Sequence, residues 1–269
     1  MDGHFLRTGP LMELSSYPRW LQNVIAACSD ARRAVVGHDV FRQMHAGTLS
    51  PAAMHRFLAS LWPVIEQFPQ YMAMNLLKVR YDLGRGHELA RRYLIRNIRV
   101  EQNHVDYWID WAHGHSVRRD ELLFGWRSPS ADALSHWCWH TCERDPLAVA
   151  MAATNYAIEG TTGEWPAFVC SSPTYEAGFP EEIRKQSMRW LRVHAHYDDT
   201  HPWEALEIIA TLIGSRAQFR EAAQIEAAIM KSYEYMREAL DDCLAERTTR
   251  RLPLEAKRSI EAREAMEMA

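Results

Sequence analysis

The segment VHAHYDDTHPWEAL, residues 193–206, places three histidines and two aspartates ahead of a proline. If it is helical, each residue turns the chain by about 100°. With His194 as origin, Asp198 then falls at about 40° and His201 at about −20°. His194, Asp198 and His201 share one narrow arc, while His196 and Asp199 point elsewhere. Imidazole and carboxylate groups on one helix face can offer lone pairs to a metal ion, but they can equally face water. Metal sites draw ligands from more than one segment, so the rest of the chain has to decide.

Two other segments offer partners. In RNIRVEQNHVDYWIDW, Glu101 and His104 are three apart, about 60° on a helix face, a spacing that helical di-metal bundles use to aim two ligands at one centre. On its own the pair is equally an ordinary surface pair. In AVAMAATNYAIEGTTGEW, Glu159 follows a stretch almost free of charge. Burying that carboxylate requires a cation or hydrogen-bond donors; otherwise it is a helix-end glutamate beside Gly160, facing water. Glu164 is expected in solvent. Glu101, His104, Glu159, His194, Asp198 and His201 together make three imidazoles and three carboxylates. That mixed nitrogen and oxygen set suits iron or manganese and lacks the thiolates of a structural zinc site. Six ligands would serve two adjacent metals with positions left open, and no catalytic side chain is assigned beyond them.

SHWCWHTC looks like a zinc motif on paper. On a helix, however, Cys138 and Cys142 share one side while His136 and His140 lie on the other, so the four cannot converge. The cysteines read as core.

The elements that must carry these groups are helical. No convincing run alternates apolar and polar residues, and one all-α domain of about seven helices is expected over residues 1–250. Ser50 caps a helix that opens with Pro51 and bends at Pro63 and Pro69. A long helix is expected over about 87–113, another behind Ser130, and another behind Pro146. Residues 170–182 read as a loop, with further helices over about 181–213 and 215–247. Residues 251–269 form a charged tail, either a loosely attached helix or disordered. Pro202 removes an N–H that would bond the Asp198 carbonyl, so the helix is expected to be kinked or locally unwound there and to hold Asp198 and His201 less firmly than His194.

Composition narrows the partners. The chain has 269 residues, 47% of them hydrophobic, and a net charge of −4, which gives no reason to expect nucleic acid. No apolar run approaches a membrane span, and the N-terminus lacks a signal-peptide core. Five scattered cysteines form no disulfide framework, so a cytoplasmic location is expected. A homo-oligomer is left open.

VEQNHVDYW, NYAIEGTTGEW and HAHYDDTHPWEAL resemble the pattern of the haem-oxygenase-like di-iron oxidases: Glu and His on one core helix, Glu on the next, His-x-x-x-Asp-x-x-His on a third. Within that family the chain is similar to the UndA-type medium-chain fatty-acid decarboxylases along essentially its whole length. The resemblance implies a haem-free helical bundle binding Fe(II); with six ligands two ions per chain are expected, the second held weakly because Glu159, Asp198 and His201 include the two ligands beside Pro202. It implies dioxygen as co-substrate and an external electron donor. The reaction implied is oxidative decarboxylation of a saturated fatty acid such as dodecanoate, by loss of a β-hydrogen, to 1-undecene and carbon dioxide. Trp108, Tyr156 and Trp190, each three or four residues from a ligand, are expected around the alkyl chain. The rival readings are a di-iron oxidase acting on another small carboxylate or amino acid, a metal-free thiaminase-like or cofactor-synthase-like enzyme, and an iron-buffering module.

Overall fold

Prolines, glycines and short polar turns cut the chain into helices, and the cuts decide where the candidate ligands fall. The computed structural model describes residues 4–125, 127–197 and 200–245. After a 3-10 turn at Leu14–Ser16 come α1 (Arg19–Ala27), α2 (Ser29–Val36), α3 (Asp39–His45) and α4 (Pro51–Leu77). Then follow α5 (Arg85–Glu101), α6 (His104–Gly114), α7 (Arg119–Phe124), α8 (Pro129–Arg144) and α9 (Leu147–Met151). A π-helical stretch, Ala152–Ile158, leads without interruption into α10 (Glu159–Cys170). The remainder is α11 (Pro173–Ala177), α12 (Glu181–Ser187), α13 (Arg189–Tyr197), α14 (His201–Ile213) and α15 (Phe219–Leu244). The described residues contain no strand, in keeping with the all-α expectation.

Ser50 caps α4, its Oγ accepting the Ala53 N–H at 3.2 Å, and Pro63 and Pro69 lie within that helix. Other boundaries depart from the pattern read in the sequence. Ser128, not Ser130, caps α8, because its Oγ accepts the Ala131 N–H at 2.9 Å while Pro129 occupies the first turn. The supposed loop over 170–182 contains α11, capped by Ser172. The last long helix starts at Phe219, behind a capping box formed by Gln218 and Glu221.

Two corrections matter more for chemistry. The helix expected over 87–113 starts at Arg85 and breaks between Glu101 and His104, where the Asn103 N–H bonds the Val100 carbonyl at 3.1 Å in a 3-10 turn. The helix expected over 181–213 is three helices. Pro202 does not kink a continuous helix: it sits in the first turn of α14, where its missing N–H is not needed. More pieces than the expected seven result, because each break restarts a helix. Residues 251–269, the expected tail, lie outside the described residues.

Long α4, α5, α8 and α15 pack with the π-helical stretch and α14 around one continuous apolar core, and α13 lies along α10. Phe41, Phe57, Trp108, Trp111, Trp165 and Trp190 form its aromatic heart. α10 and α14 approach closely at Gly160, where a Cβ would come within 3.2 Å of the Pro202 ring.

Candidate metal centre

Glu101 ends α5 and His104 starts α6, so the 3-10 turn between them folds one side chain back on the other. His104 Nδ1 lies 2.8 Å from Glu101 Oε2, as a donor to the carboxylate. α13 brings in His194, whose ring centroid is 4.4 Å from that of His104. One ligand atom from each of Glu101, His104 and His194 lies within 4.8 Å of the others, and all three residues are buried. His194 Nδ1 donates to the Trp190 carbonyl at 2.8 Å, which fixes the tautomer and leaves Nε2 as the nitrogen with a lone pair. Burial, reinforced by the neighbouring His104, holds the His194 pKa well below the ordinary imidazole value. A neutral imidazole is the form that binds metal.

The second carboxylate is Glu159, the first residue of α10. The π-helical stretch before it is entirely buried and widens the helix one turn ahead of the carboxylate, a distortion often found at functional positions. Glu159 Oε1 accepts from His201 Nδ1 at 3.0 Å, and Oε2 accepts from the Tyr93 hydroxyl at 3.0 Å and from Asn155 Nδ2 at 3.3 Å. Burial, with the Glu159 charge next, pushes the Tyr93 phenol well above its ordinary pKa, so it stays protonated and donates.

Of the six expected ligands, five are buried and meet as Glu101/His104/His194 and Glu159/His201. Asp198 lies outside the described residues. Glu164 is exposed and paired with Arg32. Cys138 and Cys142 are buried while His136 and His140 are exposed, and this agrees with a core role for the cysteines. Tyr93 and Asn155 were missed by the sequence reading, although both carry a signal. Asn155 is four residues before Glu159, and Tyr93 lies eight before Glu101, two turns away on the same face of α5.

A cavity opens onto Glu101, His104, Glu159 and His194. Its remaining wall is almost wholly apolar, with Leu61, Ile65, Phe68, Leu134 and Leu240 among the lining side chains. Trp108 and Trp190 line it; Tyr156 does not, a correction to its expected place. The Tyr156 phenol instead faces the charges of Arg32 and Glu164. Among the described residues, no lysine or arginine lies on the cavity wall.

This composition is itself a test of whether a metal fits. Glu101 and Glu159 are 7% and 4% exposed, and among the described residues no lysine or arginine lines the cavity beside them. The two buried carboxylates gather beside imidazole nitrogens, with His194 held in its neutral, metal-binding form, and a divalent cation would balance their charge. Nitrogen and oxygen donors without thiolate suit iron or manganese.

The family that the chain matches agrees with iron at this site, and the similar solved structures are TenA homologues. Residues 55–235 match the family described as iron-containing redox enzymes. The chain is similar to the crystal structure of a TenA homologue from Pseudomonas syringae pv. tomato str. DC3000. Identity is 54%, over 90% of this chain and 99% of that one, with a TM-score of 0.88. A TenA homologue from Pyrococcus furiosus is 12% identical over 83% of this chain and 99% of that one, TM-score 0.67. A putative TenA-like thiaminase from Sulfolobus solfataricus P2 is 13% identical over 83% and 95%, TM-score 0.55. At that identity the last two show the shared fold alone. No curated protein matches the chain.

Proposed function

The chain belongs to the iron-containing redox enzymes of haem-oxygenase-like fold, and on that premise we propose that it oxidatively decarboxylates medium-chain saturated fatty acids to terminal alkenes. The observation that carries this reading is the cavity: an apolar space whose only ionisable wall groups among the described residues are candidate metal ligands. An alkyl chain suits the wall, and among the described residues a carboxylate has no lysine or arginine there to meet. Its charge is satisfied only at the end where Glu101, His104, Glu159 and His194 would hold a cation.

Glu101, His104 and His194 would hold one iron; Glu159 and His201, with Asp198, would serve a second. Bound iron supplies, with dioxygen, the one-electron oxidising power that side chains lack. The residues of the chain do the rest. The leucines and phenylalanines of the wall take up the alkyl chain and exclude water. Anchoring the carboxylate at the ligand end brings the β-carbon next to it, so position selects the hydrogen that is lost. Tyr93 and Asn155 hold the Glu159 carboxylate in place. An external donor returns the electrons.

The test is anaerobic loading with Fe(II), addition of dodecanoate and then oxygen, and headspace analysis. The reading expects 1-undecene in proportion to iron loaded. Oxygen uptake without alkene would move the substrate to another small carboxylate or amino acid, and iron uptake without fatty-acid-dependent oxygen consumption would favour iron buffering.

The similarity to TenA homologues favours a second reading, metal-free thiaminase-like chemistry, which would use a nucleophilic thiol. None of the five cysteines lines the cavity. Burial raises the thiol pKa of Cys28, Cys142 and Cys243 to about 12, and that of partly buried Cys170 to about 11. Such thiols carry almost no thiolate at neutral pH and make poor nucleophiles.

A further inference from the structure

A second cavity, away from the first, is lined by Met54, His115, Thr174, Tyr175 and Phe179. Two tryptophans connect it to the candidate metal centre. The Trp190 ring stacks on His194 at 3.8 Å between centroids, with 30° between planes. Trp111 stacks on Trp190 at 5.5 Å and 16°. Trp111 Nε1 donates to the Tyr175 hydroxyl at 2.8 Å, and the same hydroxyl lies 2.7 Å from His115 Nε2. Trp111 and Trp190 are completely shielded from solvent, whereas Tyr175 reaches the second cavity.

The proton positions on this chain follow from the chemistry. An indole N–H can only donate, so the Tyr175 oxygen accepts from Trp111, and its own proton has two acceptors in reach, His115 Nε2 at 2.7 Å and Met54 Sδ at 3.8 Å, of which the imidazole is the stronger base. Burial lowers the His115 pKa to about 4, so the ring is neutral, and in the tautomer with its proton on Nδ1 the Nε2 atom accepts. A phenol bonded to a neutral imidazole can lose an electron and its proton together, since the proton has a place to go.

We propose that His194, Trp190, Trp111 and Tyr175 form a one-electron relay between the metal centre and the second cavity, with His115 as the proton acceptor. The relay rests on the iron reading of the site. Its oxidant is the iron centre after reaction with dioxygen. One electron leaves Tyr175 and passes inward through Trp111 and Trp190. The Tyr175 O–H bond breaks, its proton moves to His115 Nε2, and a neutral phenoxyl radical remains. A small one-electron reductant entering the second cavity, a thiol or ascorbate, returns the electron, and His115 returns the proton. Reducing equivalents thus reach the iron without passing through the cavity that holds substrate.

The test has two arms. In the first, iron-loaded protein meets oxygen without fatty acid, and freeze-quench electron paramagnetic resonance is combined with peptide mapping of oxidised residues. A phenoxyl signal is expected, with oxidation at Tyr175. In Tyr175→Phe the signal should become indolyl and oxidation should move to Trp111 and Trp190. In His115→Gln, which keeps an acceptor without a base, the phenoxyl signal should fall while the helical circular dichroism stays. In the second arm, metal-free protein is oxidised by a photoexcited ruthenium complex with persulfate, and the same Tyr175 dependence is expected. An unchanged spectrum and map in Tyr175→Phe, in either arm, overturns the relay. So does bound iron that leaves Tyr175, Trp111 and Trp190 unoxidised. A Tyr175-dependent radical in the metal-free arm, in a protein that takes up no iron, supports the aromatic chain and overturns the iron reading instead.

Discussion

The imidazoles of His104 and His194 stand 4.4 Å apart, one opening α6 and the other held on α13 by its bond to the Trp190 carbonyl. With Glu101 against His104, this contact gathers two imidazole nitrogens and one carboxylate oxygen into a space one ion would fill. Alanine at Glu101, His104 or His194 should therefore lower the iron retained per chain after gel filtration and abolish product formation. Circular dichroism should remain helical. A variant with full iron and full activity would take its residue out of the site.

Tyr93 supports the second carboxylate without facing the first cluster. Tyr93→Phe removes a hydrogen bond to a charged, buried group, worth about 2 kcal/mol, and urea unfolding of the metal-free protein should register that loss. Metal affinity at the Glu159 position should fall about 10- to 100-fold, as for other groups that orient a ligand. Unchanged iron binding would mean that Glu159 needs no such support.

His115 makes stability depend on pH. Its folded pKa is about 4, against about 6.5 in an unfolded chain. Between those values the unfolded state binds a proton that the folded state does not, so stability falls as pH drops through the window. The loss is on the order of 3 kcal/mol by about pH 4. His194, also held neutral, acts in the same direction in the metal-free protein. The slope of unfolding free energy against pH should be shallower in His115→Gln than in the native chain. Parallel slopes would show that His115 titrates normally.

The cysteines separate iron chemistry from thiol chemistry. Cys170→Ser and Cys142→Ala should leave iron uptake and alkene formation intact, the second at a stability cost of about 1 kcal/mol for the lost buried volume. Loss of activity with iron still bound would favour the thiaminase-like reading.

The pairing of Glu101 with His104 was legible in the sequence because three-residue spacing survives a 3-10 turn as well as an α-helical one. The break between them was not legible: no proline or glycine marks it. His194 and His201 were read as one helix face, yet they sit on separate helices, the second serving Glu159 and the first serving His104. Pro202 did signal that change, since proline opens helices as readily as it bends them, and periodicity alone does not choose between the two. The π-helical stretch has no sequence mark beyond a run of small and apolar residues. Tyr156 was expected at the cavity by its spacing from Glu159, but that spacing assumed α-helical geometry through a segment wound wider. The apolar character of the cavity arises from helices distant in sequence, so only tertiary structure reveals it.

Titration of the metal-free protein with Fe(II), followed by Mössbauer spectroscopy before and after oxygen, tests the centre most directly. The account predicts a first equivalent bound tightly at Glu101, His104 and His194, and a second bound more weakly at Glu159 and His201. Oxygen should then convert the filled protein to a coupled ferric pair. Saturation at one isolated iron, or no binding at all, would contradict it.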